Sequence, residues 1–351
     1  MVSLDVLLFS NSTVFPLCRL EPTVYLFSVL IMKKFIVKTL IFVFPLFSLS
    51  YFADVFISKN LKKSNRFAEK EYPTWNAILD GKVNSDILIY GSSRAWIHIN
   101  PTMISDSLHI SAYNLGMDGH NFWLQYLRHK ELLKKNKRPK LIIMSLDYFT
   151  FKKNKDLYNS DQFLPYMLWN SEIKEATMNY NGFSSLDYEI PLIRYYGKYD
   201  AVMTAIRYFS GHLSNPITRV KGYQGRAETW NADFDNAKST IKNLEVKLDP
   251  ATITLFQNFL KECKVNNTKV VFIYTPEYIE GQKFVKNRNQ IMGLYKKFSK
   301  QYHIPFYNFS NDSISHQKKY FYNASHLNKT GSELFTNELI DTLKASKILE
   351  H

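Results

Sequence analysis

The chain has only two cysteines in 351 residues, Cys18 and Cys263, far apart and in dissimilar surroundings. That excludes a disulfide framework and any cysteine-rich metal site. No group of His, Asp and Glu shows ligand spacing, so neither a metal nor another cofactor is expected. No fixed-period repeat occurs, which argues against solenoids and propellers. No stretch is biased enough in composition for wholesale disorder. Acidic residues are also scarce, 31 Asp and Glu against 45 Lys and Arg, for a formal charge of +14. The basic residues are scattered, with no basic helix or zinc-finger spacing, and nucleic acid is not expected as a partner. Anionic lipid headgroups, an acidic polysaccharide or a plain solvated surface each account for the charge.

One long apolar region is present, at the N-terminus. From Met32 the chain reads MKKFIVKTLIFVFPLFSLSYFADVFISKNLKK. Lys33, Lys34 and Lys38 flank a mostly apolar run from Thr39 to Ile57, interrupted by Pro45 and Asp54. This is the layout of a signal peptide or an uncleaved signal anchor, and residues 32–58 are expected to be a membrane anchor. Residues 59–83 are expected to form a stalk. Residues 1–31 form a second, irregular apolar segment broken by Pro16, Arg19 and Pro22. They are a doubtful extension, and translation is expected to start at Met32.

From residue 84 onward, short apolar runs alternate with amphipathic segments. Strands are expected at Asp86–Tyr90, Ser111–Leu115, Lys140–Leu146, Lys269–Tyr274 and Ile304–Phe309. Helices are expected around 122–135, 255–263, 293–302 and 331–345. Apolar strands without polar alternation, separated by helices, imply a mostly parallel sheet covered on both faces. The fold class is therefore α/β, a three-layer α/β/α domain over residues 84–351 with a five-stranded sheet. Residues 152–248, rich in Tyr, Trp and Asn, interrupt the pattern as an insertion with a helix near Tyr199–Phe209. Trp169, Tyr195, Tyr196 and Trp230 in it could form a sugar-stacking wall, or simply pack the insertion onto its parent domain.

Parallel sheets bind ligands at the carboxyl ends of their strands, and four motifs fall there. Gly91-Ser92-Ser93-Arg94 follows the first strand. A serine at such a strand-to-helix turn can present its hydroxyl beside helix N-terminal amides, which favour a developing oxyanion; it can equally be a helix cap. Asn114-Leu115-Gly116-Met117-Asp118-Gly119-His120-Asn121 follows the second strand, and Ser145-Leu146-Asp147-Tyr148 the third. Asn323-Ala324-Ser325-His326-Leu327-Asn328-Lys329-Thr330-Gly331 precedes the last helix. A histidine there could reach the serine after the first strand, which needs a base to act as nucleophile.

In order and placement these motifs resemble the SGNH/GDSL hydrolase superfamily over about residues 84–148 and 268–345. The resemblance implies Ser93 as nucleophile, in Gly91-Ser92-Ser93, and His326 as base, in Asn323-x-x-His326. It implies an oxyanion hole from Ser93, Gly116 and the position of Asp147. The GSSR motif, the anchor and the terminal HLN-x-x-G resemble more narrowly a membrane-linked branch of polysaccharide O-acetylation and teichoic-acid D-alanine transfer proteins. That implies an acyltransferase or esterase acting on a cell-envelope polysaccharide, on the outer side of a bacterial cytoplasmic membrane, with a membrane acyl-transfer protein as an expected partner.

Two residues depart from the family pattern. Asn323 stands where the family has Asp, and Asp147 where it often has Asn. A neutral Asn can orient His326 but cannot stabilise the imidazolium. In the serine-protease template the matching change lowers turnover by about 10⁴. A Ser–His dyad with another partner, a charge supplied by Asp147 or Asp118, and a site that has lost catalysis and kept glycan binding all remain open. The proposed start at Met32 has a direct check: mass spectrometry of the native N-terminus should find no peptide covering Val2 to Arg19, and such a peptide would refute it.

Overall fold

The structure, a computed structural model, describes residues 22–64, 67–119, 121–213, 219–240 and 243–349. It divides into two units, Met1–Phe52 and Ala53–His351. The first contains most of helix α1, Pro22–Leu61, which passes through Met32 without a break. The stretch Val29–Leu61 is long and apolar enough to cross a membrane. Phe35, Ile41, Phe44 and Leu49 on it are exposed.

The second unit is built on a five-stranded sheet. After α2 (Tyr72–Leu79) come β1 (Ile87–Tyr90), α3 (Ser93–His98), α4 (Pro101–Leu108), β2 (Ala112–Asn114), α5 (Phe122–Lys135) and β3 (Leu141–Leu146). The segment between β3 and β4 carries α6 (Ser171–Thr177), α7 (Leu186–Glu189), α8 (Tyr199–Phe209) and α9 (Asp233–Thr240). Then follow α10 (Pro250–Val265), β4 (Lys269–Tyr274), α11 (Ile279–Phe284), α12 (Arg288–Tyr302) and β5 (Phe306–Asn308). A short antiparallel hairpin, β6 (Phe321–Asn323) and β7 (His326–Leu327), leads to α13 (Lys329–Ala345).

The strand order is β2-β1-β3-β4-β5. Every pairing is parallel, with Ile87 opposite Ala112 and Leu141, Leu141 opposite Lys269, and Phe272 opposite Phe306. Because side chains alternate across a strand, the central strands feed two cores. Leu88, Tyr90, Ile142, Met144, Phe272 and Tyr274 pack with Trp75, Leu127, Phe256 and Tyr295 from α2, α5, α10 and α12. Ile87, Ile89, Ile143, Val271 and Ile273 pack with Ala95, Ile104, Phe335 and Leu339 from α3, α4 and α13. This is the three-layer α/β/α arrangement. The helices start where polar caps precede them. Asn100 accepts from the Thr102 and Met103 amides with Pro101 in the first turn, and Asp249 accepts from Thr252 with Pro250 next to it.

The expected stalk is corrected. Leu61, Tyr72, Trp75 and Ile78 are fully buried, so residues before 84 belong to the folded unit. Within the same stretch Glu71 is buried between two arginines, 2.5 Å from Arg128 and 3.0 Å from Arg219. Its carboxylate also accepts from the Asp118 amide at 3.0 Å. Arg128 donates to the carbonyls of Leu115 at 3.1 Å and Gly116 at 3.0 Å. A segment that reads as a charged tether thus fixes the loop after β2.

Glu71 remains ionised well into acid. Burial opposes ionisation, but the two guanidiniums and their hydrogen bonds outweigh it and bring its pKa from 4.5 down to about 2. A depressed carboxylate contributes stability that is full above the unfolded value and fades as pH falls toward the folded one. Glu71→Gln should therefore lower stability by about 3–5 kcal/mol at neutral pH, since it leaves buried guanidinium charge unpaired. The difference from the parent, followed by denaturant unfolding, should shrink between pH 4.5 and about 2.

Candidate active site

Gly91 ends β1 with φ +145, and a Cβ there would lie 2.6 Å from the Ser145 carbonyl of β3. Only glycine lets the chain turn this close to its neighbour strand. The turn delivers two serines to different tasks. Ser92 caps α3, its oxygen accepting from the Arg94 amide at 3.3 Å, and its hydroxyl donates to the buried carboxylate of Asp147. Ser93 carries its Oγ to 2.8 Å from His326 Nε2.

The direction of that contact follows from Asn323. Its Oδ1 accepts from the amides of Ser325 at 3.1 Å and His326 at 3.0 Å, and from His326 Nδ1 at 3.0 Å. Backbone amides only donate, so the oxygen is fixed toward the ring. Nδ1 therefore carries the proton and Nε2 is the acceptor facing Ser93. The amide nitrogen of Asn323 points the other way and donates to Asp233 Oδ2 at 3.1 Å. Asn231 donates to the same oxygen at 2.9 Å. Ser93, His326, Asn323 and Asp233 form one continuous hydrogen-bonded chain.

Burial, with Arg94 and Arg226 nearby, brings the His326 imidazole from its ordinary 6.5 down to about 3, while Asp233 opposes the shift. The ring is neutral at physiological pH, the state a base requires. Tyr322 stacks on it at 5.4 Å, nearly parallel. His98, fully buried on α3, accepts the Leu327 amide on Nε2 at 3.0 Å and lies 2.9 Å from Thr275 Oγ1 through Nδ1. It fastens the strand that carries His326 to the helix that carries Ser93, and burial keeps it neutral. Arg94, also buried, donates to the Thr275 carbonyl at 2.6 Å and stacks on Tyr274 at 4.5 Å. Its positive charge sits beside the nucleophile.

Two expected oxyanion donors are placed elsewhere. The Gly116 amide is taken by Asn114 Oδ1 at 2.9 Å, and a Cβ on Gly116 would lie 2.6 Å from the Trp96 amide. Gly116 is thus the residue that lets the loop pass close under α3. Asp147 is an acceptor, held by Ser92 and, at 2.7 Å, by the Phe149 amide, and a carboxylate with these partners has no proton to offer. Burial raises its pKa, against Arg94 and these hydrogen bonds. The ring nitrogens of His326 meet Ser93 and Asn323, and the carboxylate behind Asn323 is that of Asp233. Gly119, not Gly116, lines the cavity beside Ser93. The amides of Ser93 and Gly119 donate to no acceptor among the described residues. His120 lies outside the described residues.

The cavity above Ser93 and His326 holds about 420 Å³. Tyr148, Phe149, Leu157, Tyr158 and Tyr180 give it a largely aromatic wall, with Lys152, Asp118 and Asp156 as charged points. Of the two roles open to Trp169, Tyr195, Tyr196 and Trp230, the wall is not the one found here, since none of the four lines this space. Tyr195 is buried, Trp169 and Tyr196 are exposed, and Trp230 packs against Phe234 and Tyr278. No local signal marks Asp233, which lies 90 residues before Asn323, or His98, whose helix reads as ordinary packing.

No family model and no curated protein matches the sequence. Among solved structures, an acetyl xylan esterase aligns with a TM-score of 0.37 at 12% identity, covering 73% of this chain and 99% of that one. A GDSL-like lipase from Bacteroides thetaiotaomicron aligns with a TM-score of 0.34 at 13% identity, covering 80% and 98%. At these values the likenesses carry no chemistry to this chain.

Proposed function

We propose that this protein is a serine-dependent esterase or O-acyltransferase of the SGNH/GDSL type, with Ser93 as nucleophile and His326 as general base. The observation that carries the reading is the 2.8 Å contact between Ser93 Oγ and His326 Nε2, with the ring tautomer fixed by Asn323. As Ser93 attacks an ester carbonyl, its proton passes to Nε2, and the same imidazolium then protonates the leaving alcohol. Water or a second hydroxyl afterwards takes the acyl group from Ser93. The amides of Ser93 and Gly119 are the donors for the oxyanion.

The substrate proposed is an O-acylated cell-envelope polysaccharide. The aromatic cavity wall suits the faces of sugar rings, and the basic chain suits an anionic polymer. Helix α1 is read as the anchor, with the folded unit on the outer side of a bacterial cytoplasmic membrane. Acyl transfer would draw on a membrane partner that brings acyl groups across. Asn323 also supports a second reading, a glycan-binding or assembly protein that kept the fold, because a neutral residue stands behind the histidine.

The two readings separate in a labelling experiment. A fluorophosphonate, read by intact mass on the full chain in detergent, should add one phosphonyl group to the parent and none to Ser93→Ala or His326→Ala. No addition to a folded parent, under conditions where an added acyl acceptor is also without effect, would favour the binding protein.

The charge behind His326 makes a further prediction. Asp233 strengthens Asn323 as an acceptor and offsets the imidazolium across it. Because it is exposed and partly screened, Asp233→Asn should slow Ser93 phosphonylation only about five- to tenfold. Asn323→Asp brings a carboxylate to the ring but sets it against Asp233, so Asn323→Asp with Asp233→Asn should react faster than Asn323→Asp alone. Equal rates for those two variants would show that Asp233 exerts no field at the ring.

A further inference from the structure

Four exposed aromatic side chains between β3 and β4, Trp169, Tyr196, Tyr199 and Phe209, lie outside the cavity. Trp169 donates through its indole to the Glu189 carbonyl at 3.1 Å, and through its backbone amide to Tyr188, which sets it beside α7. From α7 the chain runs through the short turn Ile193–Tyr195 into α8. Along this path Trp169 is 60% exposed, Tyr196 91%, Tyr199 72% and Phe209 68%, and Leu186 and Ile190 are exposed beside them. So many exposed large apolar side chains on neighbouring elements are unusual for a protein surrounded only by water.

The same elements hold the last turns of α1 within the folded unit. Arg194 pairs with Asp54 at 2.6 Å, and the Leu192 amide donates to Asp54 at 2.8 Å. Ser58 and Tyr195 share a hydrogen bond of 2.8 Å, and the Phe56 and Phe209 rings meet edge to face at 5.0 Å. The elements that bear these side chains therefore also hold the last turns of α1, at Asp54, Phe56 and Ser58. Their charges are largely paired among themselves, Lys174 with Glu189 at 2.6 Å and Lys198 with Asp161 at 2.7 Å. Nothing in them selects a partner of one charge. Tyr and Trp with apolar bodies and polar tips are the residues that settle at the boundary between lipid and water.

We propose that the face made by Trp169, α7, the Ile193–Tyr195 turn and α8 lies in the headgroup layer of a lipid bilayer. The inference rests on α1 crossing that bilayer and is independent of any chemistry at Ser93. Immersion of the face would keep the folded unit from pivoting freely about a single helix.

The test uses the full chain in phosphatidylcholine nanodiscs, with Cys18→Ser and Cys263→Ala. Nitroxide labels are placed singly through Tyr196→Cys, Phe209→Cys and, as control, Val265→Cys at the 81% exposed end of α10. The labels at 196 and 209 should collide several-fold more with lipid-soluble oxygen than with a water-soluble nickel chelate, and the label at 265 should show the reverse. Raising the salt to about 0.5 M should leave the pattern unchanged, because burial of apolar surface rather than charge holds the face down. Nickel access at 196 and 209 equal to that at 265 would overturn the proposal, as would spin–spin broadening there, which means a second copy covers the face. A chain that does not stay with the discs would also overturn it. Brominated phosphatidylcholine read on the unlabelled chain guards against effects of the substitutions: it should quench part of the tryptophan emission, and Trp169→Phe should remove most of that quenched part.

Discussion

The site depends on a buried carboxylate that takes no part in it. Glu71 lies ahead of the sheet in sequence, yet its two oxygens meet Arg128, Arg219 and the Asp118 amide. Arg128 comes from α5 and Arg219 from the segment between β3 and β4. One ion cluster thus joins three distant parts of the chain at the loop that runs from β2 to the cavity. A buried charge is costly to leave unpaired. None of the three segments can move away without exposing that cost, and the loop bearing Gly119 inherits their rigidity.

The catalytic geometry uses the same logic of borrowed position. A parallel sheet delivers the ends of β1 and β3 side by side, so Ser93 and Asp147 arrive near one another before any specific contact forms. His326 comes from a two-residue strand in a hairpin that the sheet does not contain. It is brought into reach by His98, whose ring accepts the neighbouring Leu327 amide. The negative charge that usually touches the base lies one residue further out, at Asp233, with the Asn323 amide between. An amide can pass such an influence because its nitrogen donates to one partner while its oxygen accepts from the other. The compromise is a base that stays neutral into acid and gains less help when it takes a proton.

The sheet was legible because β1, β3 and β4 are apolar on both faces, a pattern only a covered parallel sheet explains. The three-residue strands β2 and β5 were visible mainly through the glycine and the apolar runs around them. The β6–β7 hairpin and α2 were not: the hairpin has too few residues to show a period, and Glu71 gives α2 the look of a solvated stretch. Ser93 and His326 could be singled out as strand-end candidates, but nothing local separates Ser92 from Ser93. That distinction needs the positions of Asp147 and His326 in space. Likewise Gly116 and Gly119 are equivalent in sequence, and only the close approach of α3 reserves the first for packing. The aromatics of the insertion left a sugar-stacking wall and packing onto the parent domain both open, because tyrosine and tryptophan serve either role.

The most direct measurement is the pH dependence of Ser93 phosphonylation in the parent chain, since it reads the protonation of the free base. The rate should hold level through pH 6.5 and fall only well below it, toward the value of about 3 that burial and the two arginines impose on His326. A rate that halves near pH 6.5, as for a solvated histidine, would contradict the neutral buried base on which the proposed chemistry rests.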